Sequence, residues 1–340
     1  MSMNPIRWRA VLALLAALAL TVGVAACGGG EETSGSAATT EGSSTEGGST
    51  EGGEGGSIVS NPENGKVTLT VGSKNFTEQI ILGEIYAQAL EAAGYKVNKD
   101  LNLGSETVAL KNLKAGSISG YPEYVSTALT SFFGKEPEEV PADATEAYEE
   151  AKAELEKENL TAFPPTPFAS ANAVGTTTAT AEQYDLETVS DLEGVSEELN
   201  LYGSPECRQR IDCLAGLEKL YGLKFAKFTP IDIGLRYTVL EKGQNNLSIL
   251  FTTDPQLAAE SDKFVILEDD KKVFPAGNVI WLTTPEVVEE AGPDYEKTIT
   301  QVQEGMSLEV IQELGARVEL EKEPAAKVAA EYLEAAGYTG

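Results

Sequence analysis

Val67–Val97 reads VTLTVGSKNFTEQIILGEIYAQALEAAGYKV, and this stretch decides the fold class. Val67–Val71 alternates β-branched and apolar side chains as a strand does. The turn Gly72-Ser-Lys-Asn-Phe-Thr-Glu-Gln79 then passes straight into an amphipathic helix. Its Ile81, Ile85 and Ala89 recur at about one-turn spacing, with Thr77 as the expected cap and Gly94 as the stop. Ligands of open α/β sheets bind beyond the carboxyl ends of the strands, where a strand-to-helix turn leaves backbone N–H groups free. Lys74 lies in that turn, so the chain places a cation where an anionic group could be held.

Outward from this unit the alternation of short apolar strands and helical stretches continues to Gly340. Further strands are predicted at Tyr95–Val97, at Ser117–Tyr121 with Pro122 breaking it, and at Leu199–Tyr202, Lys224–Phe228, Leu247–Phe251, Val265–Glu268 and Asn278–Leu282. Helices are predicted at Thr107–Ala115, Asp143–Asn159, Cys213–Tyr221, Gly234–Glu241, Asp294–Leu314 and Pro324–Ala336. A body of this length exceeds one simple core, so two α/β lobes are expected.

The N-terminus points out of the cytoplasm. Arg7 and Arg9 precede the apolar run Ala10–Ala19, and small residues lead to Cys27. A basic flank, a short apolar core and small residues before a cut describe a secretory signal, not a spanning helix. Cys27 directly after the small residues resembles a bacterial lipobox, which implies that residues 1–27 are a lipoprotein signal and that Cys27 is lipidated and becomes the mature N-terminus; ordinary signal cleavage beside an incidental cysteine is the alternative. Gly28–Ser57 is built of Gly, Ser, Thr, Ala and Glu with nothing to bury; the flexible tether is taken to residue 65. The expected location is extracytoplasmic, anchored by lipid to the outer face of the cell membrane or in a periplasm.

The formal net charge is −29. Without the two bases of the signal and the six acids of the tether, 48 acids stand against 23 bases. So acidic a body argues against nucleic acid, which demands a basic footprint. The chain has no histidine, which removes the usual general base and the commonest transition-metal ligand. No catalytic or metal constellation and no cofactor are expected. Of three cysteines, Cys27 is assigned to lipid. Cys207 and Cys213, six apart in an exported chain, read as a disulfide, and closing so short a loop contributes roughly 2 kcal/mol. A metal or redox pair would want His, more Cys or the C-x-x-C spacing.

The stretch through Gln79 resembles the first strand and helix of substrate-binding proteins serving osmoprotectant (glycine betaine, choline, carnitine) ABC transporters. The resemblance extends over most of Lys66–Gly340. It implies an α/β, two-lobed, periplasmic-binding-protein-like (type II) fold with the second lobe inserted into the first: lobe 1 at 66–170, lobe 2 at 171–274, and a return to lobe 1 at 275–340. Tyr121-Pro-Glu-Tyr124-Val-Ser-Thr127 is similar to the family's Tyr-Pro-Glu-Tyr-Thr-Gly-Thr, which makes Tyr124 a wall of the cationic-headgroup cage and Thr127 a carboxylate donor. Glu206-Cys-Arg-Gln-Arg210-Ile-Asp212 is similar to Glu-Phe-x-x-Arg-x-Asp and assigns the carboxylate clamp to Arg210; a planar guanidinium suits that task. Phe251-Thr-Thr-Asp254 resembles Tyr-Ser-Thr-Asp. Asp269 to Pro275 resembles Asp-Asp-Lys-x-x-Phe-Pro-Pro-Tyr.

Here the chain departs from the family. A quaternary ammonium is held by several aromatic faces. Of four family tyrosines only Tyr124 remains; Phe251 replaces one, Asn172 the third and Gly277 the fourth. Either Phe76, Tyr121 or Tyr237 rebuilds the cage, or the pocket takes another zwitterion, with Asn172 hydrogen bonding and Gly277 leaving room for a bulkier ligand. Asn75, Phe76, Gln79, Gly277 and Asn278 form a second tier of ligand-site residues behind Lys74, Tyr124, Thr127, Asn172, Arg210 and Phe251. Replacing Lys74 or Arg210 is expected to weaken binding with little change in unliganded stability. The reading is a monomeric substrate-binding lipoprotein of an ABC importer that captures a small carboxylate-bearing zwitterion. Its partners are that ligand and a permease driven by a cytoplasmic ATPase. A His-independent secreted enzyme and a non-transport surface lipoprotein are the rival classes.

Overall fold

The computed structural model describes residues 56–243 and 245–340, so the expected signal, Cys27 and the tether up to residue 55 lie outside the described residues. In chain order the first part runs β1 (Thr68–Gly72), α1 (Thr77–Ala92), β2 (Lys96–Asp100), α2 (Glu106–Lys114), β3 (Gly120–Tyr124), α3 (Ala144–Lys157), β4 (Thr161–Ala162) and β5 (Ala169–Ser170). Then come β6 (Asn172–Thr177), α4 (Thr178–Tyr184), β7 (Asn200–Gly203), α5 (Leu214–Leu220), β8 (Lys227–Pro230), α6 (Arg236–Glu241), β9 (Asn246–Phe251), α7 (Pro255–Ala259) and β10 (Phe264–Ile266). The chain closes with β11 (Gly277–Thr283), α8 (Pro285–Ala291), α9 (Pro293–Glu304), α10 (Leu308–Glu319) and α11 (Ala325–Ala335).

Two sheets result. The first has the order β2-β1-β3-β11-β4, with β5 also on β11; the second has the order β10-β6-β9-β7-β8. Because β11 returns to the first sheet after β6–β10 have formed the second, one α/β lobe is inserted into the other, as expected. Strand membership changes between Ser170 and Asn172, and again between Ile266 and Gly277. β1 lies parallel to β2, with Leu69 opposite Val97, whereas β11 runs antiparallel to β3, with Ile280 opposite Glu123.

Helix α1 is buried on more than one stripe. Ile81, Leu82, Ile85 and Tyr86 are fully enclosed, because α9 and α11 cover the helix on the side away from the sheet. The second lobe has its own core, in which Leu199, Leu201, Leu217 and Leu247 surround Cys207 and Cys213.

Several local expectations are corrected. Thr77 is the first helical residue of α1, and Phe76 takes the cap position with no side-chain cap bond. Pro122 does not end its strand: β3 runs through it, opposite Trp281. β1 pairs with β3 only at Gly120, so past that residue the missing N–H of Pro122 faces an unpaired side. The single helix expected over Asp294–Leu314 is two, divided at Gly305, and Ser307 caps the second by accepting from Val310 N. The tether ends earlier than residue 65. From Ser57 the chain is fastened to the body: Ile58 N donates to Tyr338 O (2.8 Å), and Asn61 Nδ2 donates to Asp294 Oδ2 (2.8 Å).

Candidate functional site

A cleft of roughly 950 Å3, counted to its open mouth, lies where the carboxyl ends of β1 and β3 face β6, β7 and β9. Residues of both sheets line it, Lys74, Tyr124 and Thr127 from one side and Asn172, Arg210 and Phe251 from the other. All six predicted first-rank residues thus meet in one place.

Lys74 is not the free cation the turn suggests. Its side chain is buried and its ammonium is paired with Glu123 of β3, which is fully enclosed. Tyr121 Oη (3.1 Å) and Tyr124 N (2.8 Å) donate to the same carboxylate. The Lys74 Nζ also lies 4.4 Å from the centre of the Tyr124 ring and 5.9 Å from that of Phe76. The reason is topological: β1 and β3 are neighbours, so Lys74 just past β1 meets the penultimate residue of β3.

Arg210 sits in the turn between β7 and α5. Its Nε and Nη2 donate to the two oxygens of Asp212, at 2.7 and 2.5 Å, a fork-to-fork pair two residues apart. Its Nη1 stands 3.7 Å from Glu106 Oε2, an ion pair across the cleft that is too long for a hydrogen bond. Burial opposes the charge, but Asp212 and Glu106 raise the guanidinium pKa, so Arg210 is always charged. Asp212 is itself tied across the cleft, because Thr130 Oγ1 donates to its Oδ2 (3.1 Å).

Three aromatic rings of the lining form a continuous series. Phe76 stands between Tyr124 (6.3 Å between centres, 16° between planes) and Phe251 (5.1 Å, 45°), so the series crosses from one sheet to the other. Of the three aromatics suggested to rebuild a cage, only Phe76 lines the cleft. Tyr121 is enclosed behind it with its hydroxyl on Glu123, and Tyr237 packs on Phe264 and donates to Asp254 Oδ2 (2.9 Å). Tyr124 Oη donates to Glu78 Oε1. Burial pushes the Glu78 carboxyl above the usual glutamate range, and Asp254 adds to it, while hydrogen bonds from Thr253 and Tyr124 work against the shift.

Gly277 does not make room for a ligand. A Cβ built there would come within 2.3 Å of Ser126 Oγ and 2.6 Å of Ser126 N, so the space a side chain would take is filled by protein. Ser126, where the family motif has Gly, lines the cleft instead. Asn172 turns its Nδ2 to Asp212 O (3.1 Å), which leaves its acceptor oxygen for other partners. Among the second tier, Asn75 lines the cleft, Gln79 accepts from Lys74 N (3.3 Å) behind it, and Asn278 donates to Thr166 O (2.9 Å) within lobe 1.

The sequence reading missed Arg236. It lines the cleft, holds Asp254 through Nε (2.9 Å) and Nη2 (2.5 Å), and lies 5.1 Å from the centre of the Phe251 ring. Its Nη2 also reaches Glu319 of α10 (3.3 Å), a second ion pair between the lobes. Burial opposes ionisation of Glu319, but Arg236 and hydrogen bonds with Gln256 and Thr77 keep its carboxyl below the usual range. Nothing in the pattern around Arg236 separates it from a surface base. Among the described residues no group of three or more His, Cys, Asp and Glu could hold a metal ion. Among them, too, no helix is long and apolar enough to cross a membrane.

Residues 67–335 match the family described as the substrate binding domain of ABC-type glycine betaine transport system. The glycine-betaine-binding protein of Pseudomonas aeruginosa is 32% identical over 277 residues, covering 78% of this chain and 87% of that protein. The ergothioneine transport permease/ergothioneine binding protein EgtU of Helicobacter pylori is 30% identical over 271 residues, covering 79% of this chain and 48% of that one. A crystal structure described as a glycine betaine/carnitine/choline ABC transporter has 28% identity and a TM-score of 0.61, covering 78% of this chain and 97% of its own. These relatives are named for binding and transport, and none for catalysis. With a two-sheet α/β fold, an interlobe cleft and a family match over most of its length, the chain belongs to the substrate-binding domains of ABC-type glycine betaine transport systems.

Proposed function

We propose that this protein captures a small carboxylate-bearing betaine outside the cytoplasm and hands it to a membrane permease, acting as a monomer held to the membrane by lipid on Cys27. Lobes 66–170 with 275–340, and 171–274, are the bodies that close on the ligand. The observation that carries the reading is the pairing of opposite chemistries across one cleft. The rings of Tyr124, Phe76 and Phe251 offer faces to a cation, and Arg210 offers an Nη1 edge to an anion. Thr127, from the other lobe, also lines the cleft and adds a hydroxyl. A ligand touching both walls favours closure because only the closed form supplies both sets of contacts.

A second reading has its own support. Three tyrosines of the family cage are absent here, only one of them replaced by another aromatic, and Ser126 and Asn172 line the cleft, Asn172 with its acceptor oxygen free of the bond its Nδ2 makes. A betaine that also carries an N–H or O–H donor fits such a wall better than glycine betaine does. Ergothioneine, a betaine bearing a thione-imidazole ring, is of this kind. Calorimetric titration with glycine betaine, carnitine, choline and ergothioneine tests both readings: tightest binding of glycine betaine or carnitine supports the first, and of ergothioneine the second. Absence of heat and of any melting shift with all four overturns the role.

A further inference from the structure

We infer that the Cys207–Cys213 disulfide positions the carboxylate clamp, beyond any contribution to stability; the inference rests on the proposed role of Arg210 as the anion-binding side chain. The bridge closes a ring of backbone whose outer arc carries both Arg210 and Asp212. Both cysteines are buried in the lobe 2 core cluster with Leu201, Leu214 and Ile249 and also back the cleft wall, into which Arg210 reaches from the tip of the arc. The base of the loop is therefore fixed and its tip is functional.

The other side-chain contacts do not do the same task. The fork between Arg210 and Asp212 is internal to the loop, so it keeps the two side chains together without saying where they stand. Thr130 and Glu106 belong to the opposite lobe, and their contacts to Asp212 and Arg210 are lost when the lobes part. In an open protein the arc is then held to its own lobe by the bridge, by the Asn172 Nδ2 bond to Asp212 O, and by the backbone bonds of Gln209 N (3.0 Å) and Arg210 N (3.3 Å) to Glu206 O and of Cys213 N to Arg210 O (3.2 Å), which shape the turn while the bridge ties its two ends together. Arg208 contributes by lying over the Phe228 ring, but it is not among the residues that line the cleft. Gly216 is required as well, since a Cβ there would lie 2.0 Å from Ile211 O; this close approach sets the spacing of arc and α5, not the direction of Arg210. A closed ring loses less freedom on binding than an open turn, so the bridge keeps the Nη1 edge aimed before the ligand arrives.

The test compares the parent, the paired variant Cys207→Ser/Cys213→Ser, Arg210→Ala and the triple variant. Each is titrated with glycine betaine and with choline, which has the same quaternary head and no carboxylate. Loss of the bridge should weaken glycine betaine about tenfold or more, as expected for a misplaced charge-assisted hydrogen bond, and should leave choline nearly unchanged. In the Arg210→Ala background loss of the bridge should change nothing further. Amide hydrogen exchange of the unliganded paired variant should quicken at residues 208–212 more than in β7 and α5, a readout independent of any ligand.

Equal weakening of both ligands, or the same loss with and without Arg210, assigns the bridge to stability alone and overturns the inference. If the paired variant does not fold, Cys207→Ala/Cys213→Ala and the reduced parent protein carry the same comparison. If the parent binds no carboxylate-bearing betaine, the functional reading fails and this inference falls with it. If the parent binds and the bridge has no effect, only the inference fails.

Discussion

Glu123→Gln is the substitution that weighs the buried pair at the floor of the cleft. In the parent, Lys74 and Glu123 are both enclosed and neutralise each other, with Tyr121 Oη and Tyr124 N as further donors to the carboxylate. Glutamine keeps the shape and an acceptor oxygen but removes the countercharge. Lys74 must then stay charged without a partner or give up its proton, and either is unfavourable in a dry site. Breaking a buried pair from one side costs about 3–5 kcal/mol. The Tyr124 ring face, 4.4 Å from the ammonium, remains in the variant and keeps the loss near the lower end, about 3 kcal/mol. For a body of this size that lowers Tm by about 6–12 °C. Calorimetry and urea unfolding of the unliganded protein measure it, and Lys74→Met/Glu123→Gln should recover most of the loss. A Glu123→Gln variant that melts within about 2 °C of the parent would refute the reasoning, and would show Lys74 to be a free cleft cation after all.

Phe251→Leu should weaken a bound betaine by about 1 kcal/mol or more through loss of a cation–π face, with little effect on an uncharged isostere; equal loss for both, read by titration, would leave Phe251 as mere packing. Glu78 holds its proton more tightly than an ordinary glutamate, chiefly through burial. A carboxyl raised in this way contributes stability below its unfolded value near 4.5 and loses it as pH rises through the folded pKa. Glu78→Gln should therefore be more stable than the parent at neutral pH, with the difference shrinking towards pH 4.5; a pH-independent difference in melting temperature would contradict this. Cys27→Ser should release the protein from membranes or block its processing while the folded body is unchanged, and undiminished membrane retention would remove the lipid-anchor proposal.

The strand-to-helix unit at Val67–Ala92 was legible because its two periods, two residues and then one helical turn, follow without a break. β6 was not. Asn172–Thr177 reads Asn-Ala-Val-Gly-Thr-Thr, without clear alternation, because its middle residues are buried on both faces between β10 and β9. The division of the last long helix was visible only as Gly305 and Ser307, weak signals inside a strongly periodic stretch. That the six first-rank residues line one cleft was legible from the family motifs that carry them, with Tyr124, Asn172 and Phe251 at strand ends and Lys74 just past one. Their charge state could not, since Glu123 meets Lys74 across 49 residues of sequence through the adjacency of β1 and β3, which no local pattern encodes. Ser126 and Gly277 show the same limit. Read alone, Gly277 is a vacancy; only the β3–β11 pairing brings it against Ser126 and fills the space.

The three cations that line this cleft each have a protein carboxylate as partner: Lys74 has Glu123, Arg210 has Asp212, and Arg236 has Asp254. A ligand carboxylate in the proposed role therefore meets no bare positive charge. It gains most at Arg210, where two donors are engaged within the loop and the Nη1 edge faces Glu106 beyond hydrogen-bond reach. Taking that edge puts the ligand in direct competition with Glu106 of lobe 1. The competition favours the ligand only if its other end is stabilised at the same time, which is the task of the rings across the cleft. A simple carboxylate would face Glu106 without that compensation, and a simple cation would leave Arg210 with Glu106. Discrimination for molecules carrying both groups then follows from the repulsion a lone carboxylate meets at Glu106 and from the contacts a lone cation leaves unmade, as much as from attraction of the whole.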